Sequence, residues 1–231
     1  MGRETEWMPV ERSMWVREEI DLDRDLEFIR EEFRAGFELI ARIDRPAAAI
    51  FGSARIATEH PWYRLARETG AAFAREGFGV VTGGGPGLME AANRGAKQAG
   101  GLSVGLGIQL PHEQDLNHWL DLSYDFKHFY ARKVCFVKAS EGFVAFPGGF
   151  GTNDELFEAL TLIQTGKVRR FPVVLFGREH WEPMVAWIRD RLLREGTVSA
   201  RDIDLFVVTD DPETAVRAVV DPYRGTVGPR G

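Results

Sequence analysis

From Pro46 onward the chain alternates short apolar runs with stretches of helix length, and this rhythm restricts its fold more than any other feature. The runs are Ala47-Phe51, Gly79-Thr82, Leu102-Leu106, Gly142-Phe146, Pro172-Phe176 and Leu205-Thr209. Helix-like stretches lie between and after them: Trp62-Glu76, Leu88-Ala99, His128-Ala139, Glu155-Thr165, Glu182-Glu195 and Pro212-Val219. Strands separated by helices imply a parallel sheet with crossover helices. The runs are apolar on both sides of the strand alternation, as strands covered on both faces must be. The expected fold is α/β: one doubly wound, Rossmann-like parallel sheet over residues 46–231.

Ahead of this domain, Leu22, Leu26, Ile29, Phe33, Phe37, Ile40 and Ile43 recur at spacings of three or four among Asp, Glu and Arg. That is one apolar stripe on a helix of roughly six turns. It ends before Arg45-Pro46, as a proline-flanked boundary should. Residues 1–45 therefore read as an N-terminal helical arm, with residues 1 to about 21 loose at the start. The stripe fits packing on its own domain and packing on a second subunit equally well.

Composition narrows the function. The 231 residues suffice for one sizeable domain, and 44% hydrophobic with 28% charged residues is ordinary for a chain that buries a core. The net charge is −6 and there is no basic block, which argues against nucleic acid as a partner. The single cysteine, Cys135, stands in Lys133-Val134-Cys135-Phe136-Val137 and reads as a buried structural thiol. One cysteine allows neither a disulfide framework nor a thiolate metal cluster within the chain. Met1 to Arg12 is charged and unlike a signal peptide, and no stretch is apolar enough to span a membrane. A cytoplasmic protein is expected. Histidines 60, 112, 118, 128 and 180 show no metal-ligand spacing and read as structural or surface residues. The six tryptophans are scattered and read as core or interface.

In open parallel sheets, ligands sit beyond the carboxyl ends of the strands. Two turns there are rich in glycine. In Val80-Val81-Thr82-Gly83-Gly84-Gly85-Pro86-Gly87-Leu88-Met89-Glu90 a strand runs into three consecutive glycines, and Pro86 is tolerable as a first helical residue. Val144-Ala145-Phe146-Pro147-Gly148-Gly149-Phe150-Gly151-Thr152-Asn153-Asp154-Glu155 repeats the logic, with Thr152 placed to cap a helix. Glycines allow close approach of backbone to a ligand, and the N–H groups opening a helix bind anions. Each turn also fits a purely structural tight bend. Neither is G-x-G-x-x-G, because Leu88 and Asp154 occupy the last glycine position, and there is no G-x-x-x-x-G-K-[ST]. A dinucleotide dehydrogenase and a P-loop enzyme are thus disfavoured, and the spacing suits one phosphate.

The stretch Pro147-Gly148-Gly149-Phe150-Gly151-Thr152-Asn153-Asp154-Glu155 resembles the P-G-G-x-G-T-x-x-E signature of the LOG ("lonely guy") family. Phe51-Gly52-Ser53-Ala54-Arg55, Thr82 to Ala91, and Phe129-Tyr130-Ala131-Arg132-Lys133 are similar to further family motifs, in the expected order over residues 47–177. The family comprises cytokinin riboside 5′-monophosphate phosphoribohydrolases, long labelled lysine decarboxylases. The resemblance implies hydrolysis of the N-glycosidic bond of AMP-type nucleotides, N6-substituted ones included, to free base and ribose 5-phosphate. It implies Arg132 and Glu155 as the catalytic pair, no metal or organic cofactor, and a dimer or hexamer. The arm matches the longer members. Asp154 departs from the pattern of members with two acidic residues, Glu first. Decarboxylase chemistry would need a pyridoxal-bearing lysine, and none stands in such a setting.

The chemistry agrees with the residues. Cleaving a ribosyl C1′–N bond builds cationic character on the sugar, which a carboxylate such as Glu155 can stabilise while taking a proton from water. Arg132 can steady a phosphate or the departing base. The phosphate and ribose ligands expected beside them are Ser53, Gly83, Gly84, Gly85, Glu90, Lys133, Gly148, Gly149, Gly151 and Thr152. Simpler roles fit several of these: Thr152-x-x-Glu155 is also a capping box, Lys133 a solvated charge, Glu90 a helix-dipole partner and Ser53 a turn cap. A non-catalytic nucleotide-binding module and a general nucleotide nucleosidase share the same motifs.

Overall fold

The computed structural model describes residues 22–110, 115–168 and 171–225; residues 1–21, with Trp7 and Trp15, and His112 lie outside them. In chain order the elements are α1 (Leu22–Ala41), β1 (Ala47–Phe51), α2 (Pro61–Arg75), β2 (Gly79–Thr82), α3 (Leu88–Gln98), β3 (Ser103–Ile108), β4 (Leu122–Phe126), α4 (Phe129–Ala139), β5 (Phe143–Ala145), α5 (Phe150–Gln164), β6 (Val173–Phe176), α6 (Arg178–Trp187), β7 (Phe206–Thr209) and α7 (Pro212–Arg224). The strands form one seven-stranded sheet ordered β4-β3-β2-β1-β5-β6-β7. Every pairing is parallel, with Ala47 opposite Gly79 on one side of β1 and Ala49 opposite Phe143 on the other. The chain winds outward from β1 to β4, then returns to lay β5 beside β1. That reversal makes the β1/β5 boundary the topological switch point, where a crevice opens above the carboxyl edge.

Both faces of the sheet are covered. Ala48, Ile50, Val80, Val144, Val174 and Phe176 pack under α2, α3 and α7. On the other face Ala49, Phe51, Val81 and Leu106 pack with Leu39 of α1, Phe136 of α4, Leu156 of α5 and Trp181 of α6. Each fully buried large apolar side chain stabilises the fold by roughly 1.5–3 kcal/mol. Cys135 is fully buried in that layer, and desolvation pushes its thiol to about 11, so it acts as a small hydrophobe. The helices α2 and α3 meet backbone to backbone. A methyl group on Gly70 would strike the carbonyl oxygen of Ala92, and one on Gly95 would strike that of Arg67.

Three differences from the sequence expectation bear on the site. β4 is an additional strand at the sheet edge, where Leu122 and Phe126 are buried while Ser123 and Asp125 are exposed. The helix α5 starts at Phe150, five residues before the expected Glu155, because the extended Gly149 is its cap. The stripe on α1 is divided. Leu39 is buried, and Gly36 lies so close to α4 that a methyl group there would strike Cys135 Sγ, whereas Leu22 and Leu26 are 61% and 53% exposed.

Candidate active site

The turn after β1 is stitched to both glycine loops. Ser53 N donates to Pro147 O at 3.0 Å, and Ser53 O accepts from Leu88 N at 3.0 Å. Ser53 Oγ accepts from Arg55 N at 3.1 Å, a turn-capping bond that leaves its own proton to donate. The three turns of the switch point therefore form one rigid edge.

The second loop opens α5. Thr152 falls inside the first turn of the helix and makes no capping bond, and Glu155 lies in the second turn, so the expected cap and capping box do not form. Instead the Thr152 hydroxyl folds over Gly148, where any Cβ would collide with it. A Cβ added to Gly149 or Gly151 would meet nothing within 4 Å, so both face open space. Pro86 likewise stands before α3, whose cap is Gly87 at φ +68°, a left-handed position that favours glycine.

In the first loop, Gly84 sits at φ +72° and its N–H donates to Thr82 Oγ1 at 2.9 Å, so that amide is engaged inside the protein. Arg132 lies on Gly83: a Cβ there would stand 2.6 Å from a guanidinium nitrogen. Arg132 Nε donates to Leu106 O at 2.7 Å, and its guanidinium carbon lies 5.1 Å from the Phe136 ring centroid. Burial lowers its pKa, and Glu155 and Asp125 oppose that shift; a guanidinium stays cationic regardless.

Glu155 is 5% exposed. Desolvation raises its carboxyl from 4.5 to about 7, against the pull of Lys133 and Arg132. Lys133 is not the solvated charge a helix lysine usually is. Its Nζ binds Glu158 Oε2 at 2.9 Å and Asp154 Oδ2 at 3.0 Å, strapping α4 to α5 beside Glu155. Glu90 Oε1 accepts the hydroxyl of the buried Tyr63 at 2.9 Å and so faces α2. The arrangement sets a carboxyl that titrates near neutrality beside a fixed cation, under open glycine backbone. That is what general acid–base chemistry on an anionic substrate requires.

Three neighbours carry no mark in the motifs. Asp125, exposed at the end of the unforeseen β4, lies within electrostatic reach of Arg132. Asn117 binds the first glycine loop. Glu32 of α1 is buried and accepts the backbone N–H groups of Lys127 and His128 while its other oxygen meets the His128 ring. Glu32 thereby caps α4, whose own N-cap side chain makes no cap bond. Asp125 carried a signal in the alternation of Leu122, Tyr124 and Phe126; Asn117 and Glu32 act across 33 and 95 residues of sequence and carried none. Among the described residues no group of three or more His, Cys, Asp or Glu side chains can hold a metal ion. No helix among them is long and apolar enough to cross a membrane.

The chain is similar to known proteins. A family described as "Possible lysine decarboxylase" matches residues 89–219. A cytokinin riboside 5′-monophosphate phosphoribohydrolase of Mycobacterium tuberculosis is 34% identical over 156 residues, covering 67% of this chain and 83% of that protein. One from Mycobacterium marinum is 31% identical over 186 residues, covering 78% and 98%. Among solved structures, the molybdenum cofactor carrier protein of Chlamydomonas reinhardtii aligns with a TM-score of 0.58 at 26% identity, over 78% of this chain and 99% of that one.

Proposed function

The chain belongs to the LOG family of phosphoribohydrolases, and from that premise we propose that it hydrolyses the N-glycosidic bond of AMP-type nucleoside 5′-monophosphates, N6-substituted ones included. The observation that carries this reading is Glu155: buried, ionising at about 7 and set beside Arg132 at the β1/β5 switch point. The phosphate lies on the open backbone at Gly149 and Gly151 and the N-terminus of α5. The ribose then falls within reach of the second helical turn, where Glu155 stands.

In the reaction the C1′–N bond breaks and its electron pair leaves with the base. Ionised Glu155 stabilises the cationic sugar and takes a proton from the water whose oxygen joins C1′. That proton passes on to the base, which leaves neutral, with ribose 5-phosphate as the second product. Arg132 holds negative charge developing on the substrate, and Lys133 keeps Asp154 and Glu158 from pushing the Glu155 carboxyl still higher.

Incubating the protein with AMP and with N6-isopentenyl-AMP, and separating the products by chromatography, tests the reading. Release of base and ribose 5-phosphate by the wild type, lost in Glu155→Gln, is expected. A second reading, a carrier or sensor that binds without cleaving, draws on the molybdenum cofactor carrier protein among the structural neighbours. Binding of nucleotide without release of base would select it. The buried carboxyl with a raised pKa, set beside a fixed cation under open backbone, favours the enzyme, because such acids concentrate at catalytic sites.

A further inference from the structure

Asn117 lies in the connection between β3 and β4, outside every motif of the site. Its Nδ2 donates to the carbonyl oxygens of Gly84 at 2.9 Å and Gly85 at 3.1 Å, and to Asn93 Oδ1 at 3.0 Å. Its backbone N–H also donates to Gly84 O, at 2.7 Å. Its Oδ1 accepts from Trp119 N at 3.1 Å, which turns the connection, and the Trp119 ring packs under the Arg94 guanidinium at 5.2 Å. Beneath lie the fully buried Thr82, Asn93 and Ser103. Thr82 Oγ1 donates to Asn93 Oδ1 at 2.5 Å, and Asn93 Nδ2 donates to Ser103 Oγ at 2.9 Å. A connected network of buried polar groups fixes one conformation of the chain that passes through it.

The consequence for the glycine loop is directional. A peptide group is planar and trans, so its C=O and N–H point to opposite sides. Fixing Gly84 O on Asn117 therefore turns the N–H of Gly85 to the far side of the loop. Gly85 is buried, yet its N–H makes no hydrogen bond among the described residues. Such an orphaned donor is rare in folded proteins. The Gly84 N–H is held by Thr82 Oγ1, and residue 86 is proline, so of these three positions only Gly85 has a donor to offer. The Arg132 guanidinium lies against Gly83, two residues away.

We propose that Asn117 is a positioning residue for the substrate. It holds the first glycine loop so that the Gly85 N–H and Arg132 meet one oxygen of the ribose 5-phosphate half of the nucleotide. This role rests on the nucleotide reading of the site.

Asn117→Asp separates positioning from packing. Asp keeps the volume and the oxygen that accepts from Trp119 N, but sets an acceptor where the donor to the two carbonyls stood. Protein labelled with 15N is titrated with ribose 5-phosphate, and KM and kcat for AMP are measured beside it. In the wild type the Gly85 amide resonance moves on titration. In N117D it does not, and KM rises on the order of tenfold or more while kcat changes by less than about threefold. A Gly85 resonance that ignores ribose 5-phosphate in the wild type overturns the proposal whatever the variants do. An equal response in N117D, or an unchanged KM, overturns it as well. If N117D does not fold, Asn117→Ala takes its place with the same expected outcome. A wild type that leaves AMP intact while Gly85 still responds defeats the hydrolase reading alone, and the Kd for ribose 5-phosphate then stands in for KM.

Discussion

Replacing Glu155 by Gln should make the protein more stable and inactive at once, with a gain that depends on pH in a calculable way. The side chain is 5% exposed, and burial raises its carboxyl from 4.5 to about 7. A raised carboxyl pKa means that the folded state holds a proton the unfolded chain releases. The penalty is therefore small below pH 4.5, grows between 4.5 and about 7, and is fully present above that. The attraction of Lys133 and Arg132 is already contained in the net shift, so the variant does not lose it a second time. At about 1.4 kcal/mol per tenfold change in proton affinity, the carboxylate costs roughly 3 kcal/mol at pH 8 and under about 1 kcal/mol at pH 5. Gln has the shape of the protonated acid and escapes the cost. For a chain of this length a kilocalorie moves the melting temperature by about 2–4 °C. E155Q should thus gain roughly 6–12 °C over the wild type at pH 8 and little at pH 5, measured by calorimetry at both. An equal gain at the two pH values, or a loss at pH 8, would refute the reasoning, because the carboxylate would then be satisfied in the fold rather than held under stress for chemistry.

The same carboxyl sets the activity profile: log kcat/KM for AMP should climb with unit slope below about pH 7 and level off above it, and a flat profile from pH 5 to 8 would remove Glu155 as the base. Lys133→Met takes away the cation that favours the ionised form, so the acid limb should move to higher pH; a profile unmoved in this variant would show that Lys133 does not bias Glu155. Gly151→Ala fills open space inside α5 and should stabilise the helix by about 0.5–1 kcal/mol while raising KM for the nucleotide; a KM left at the wild-type value would place the phosphate elsewhere. Glu32→Ala uncaps α4 and leaves His128 without its carboxylate, for an expected loss of about 2 kcal/mol in urea unfolding and a lower kcat through Arg132, and a variant as stable as the wild type would refute the cap.

What the sequence disclosed and what it withheld divide along a physical line. The parallel sheet was legible because fully buried strands must be apolar on both faces, as Ala47-Ala48-Ala49-Ile50-Phe51 is, and because helix-length stretches separate such runs. β4 was missed because an edge strand is covered on one side only, and its alternation over five residues is too short to stand out beside the loop that precedes it. The glycine loops were legible as places where backbone comes close to something, but not as to what. Gly95 and Gly70 make room for a helix, Gly148 for a threonine, Gly83 for Arg132, and Gly149 and Gly151 for nothing among the described residues. Of the glycines in the second loop, that last pair is the one left open to a ligand. The rest of the site is made across distance in the sequence. Glu32 reaches α4 over 95 residues, and Asn117 reaches the first loop over 33. Neither leaves a local pattern, since a hydrogen bond between distant segments asks only for one suitable residue at each end. Both hold groups that a motif does name, Arg132 through its helix and Gly85 through its carbonyl. A motif thus spells out only what is local in the chain, and the residues that hold it from a distance become visible only once the chain is folded.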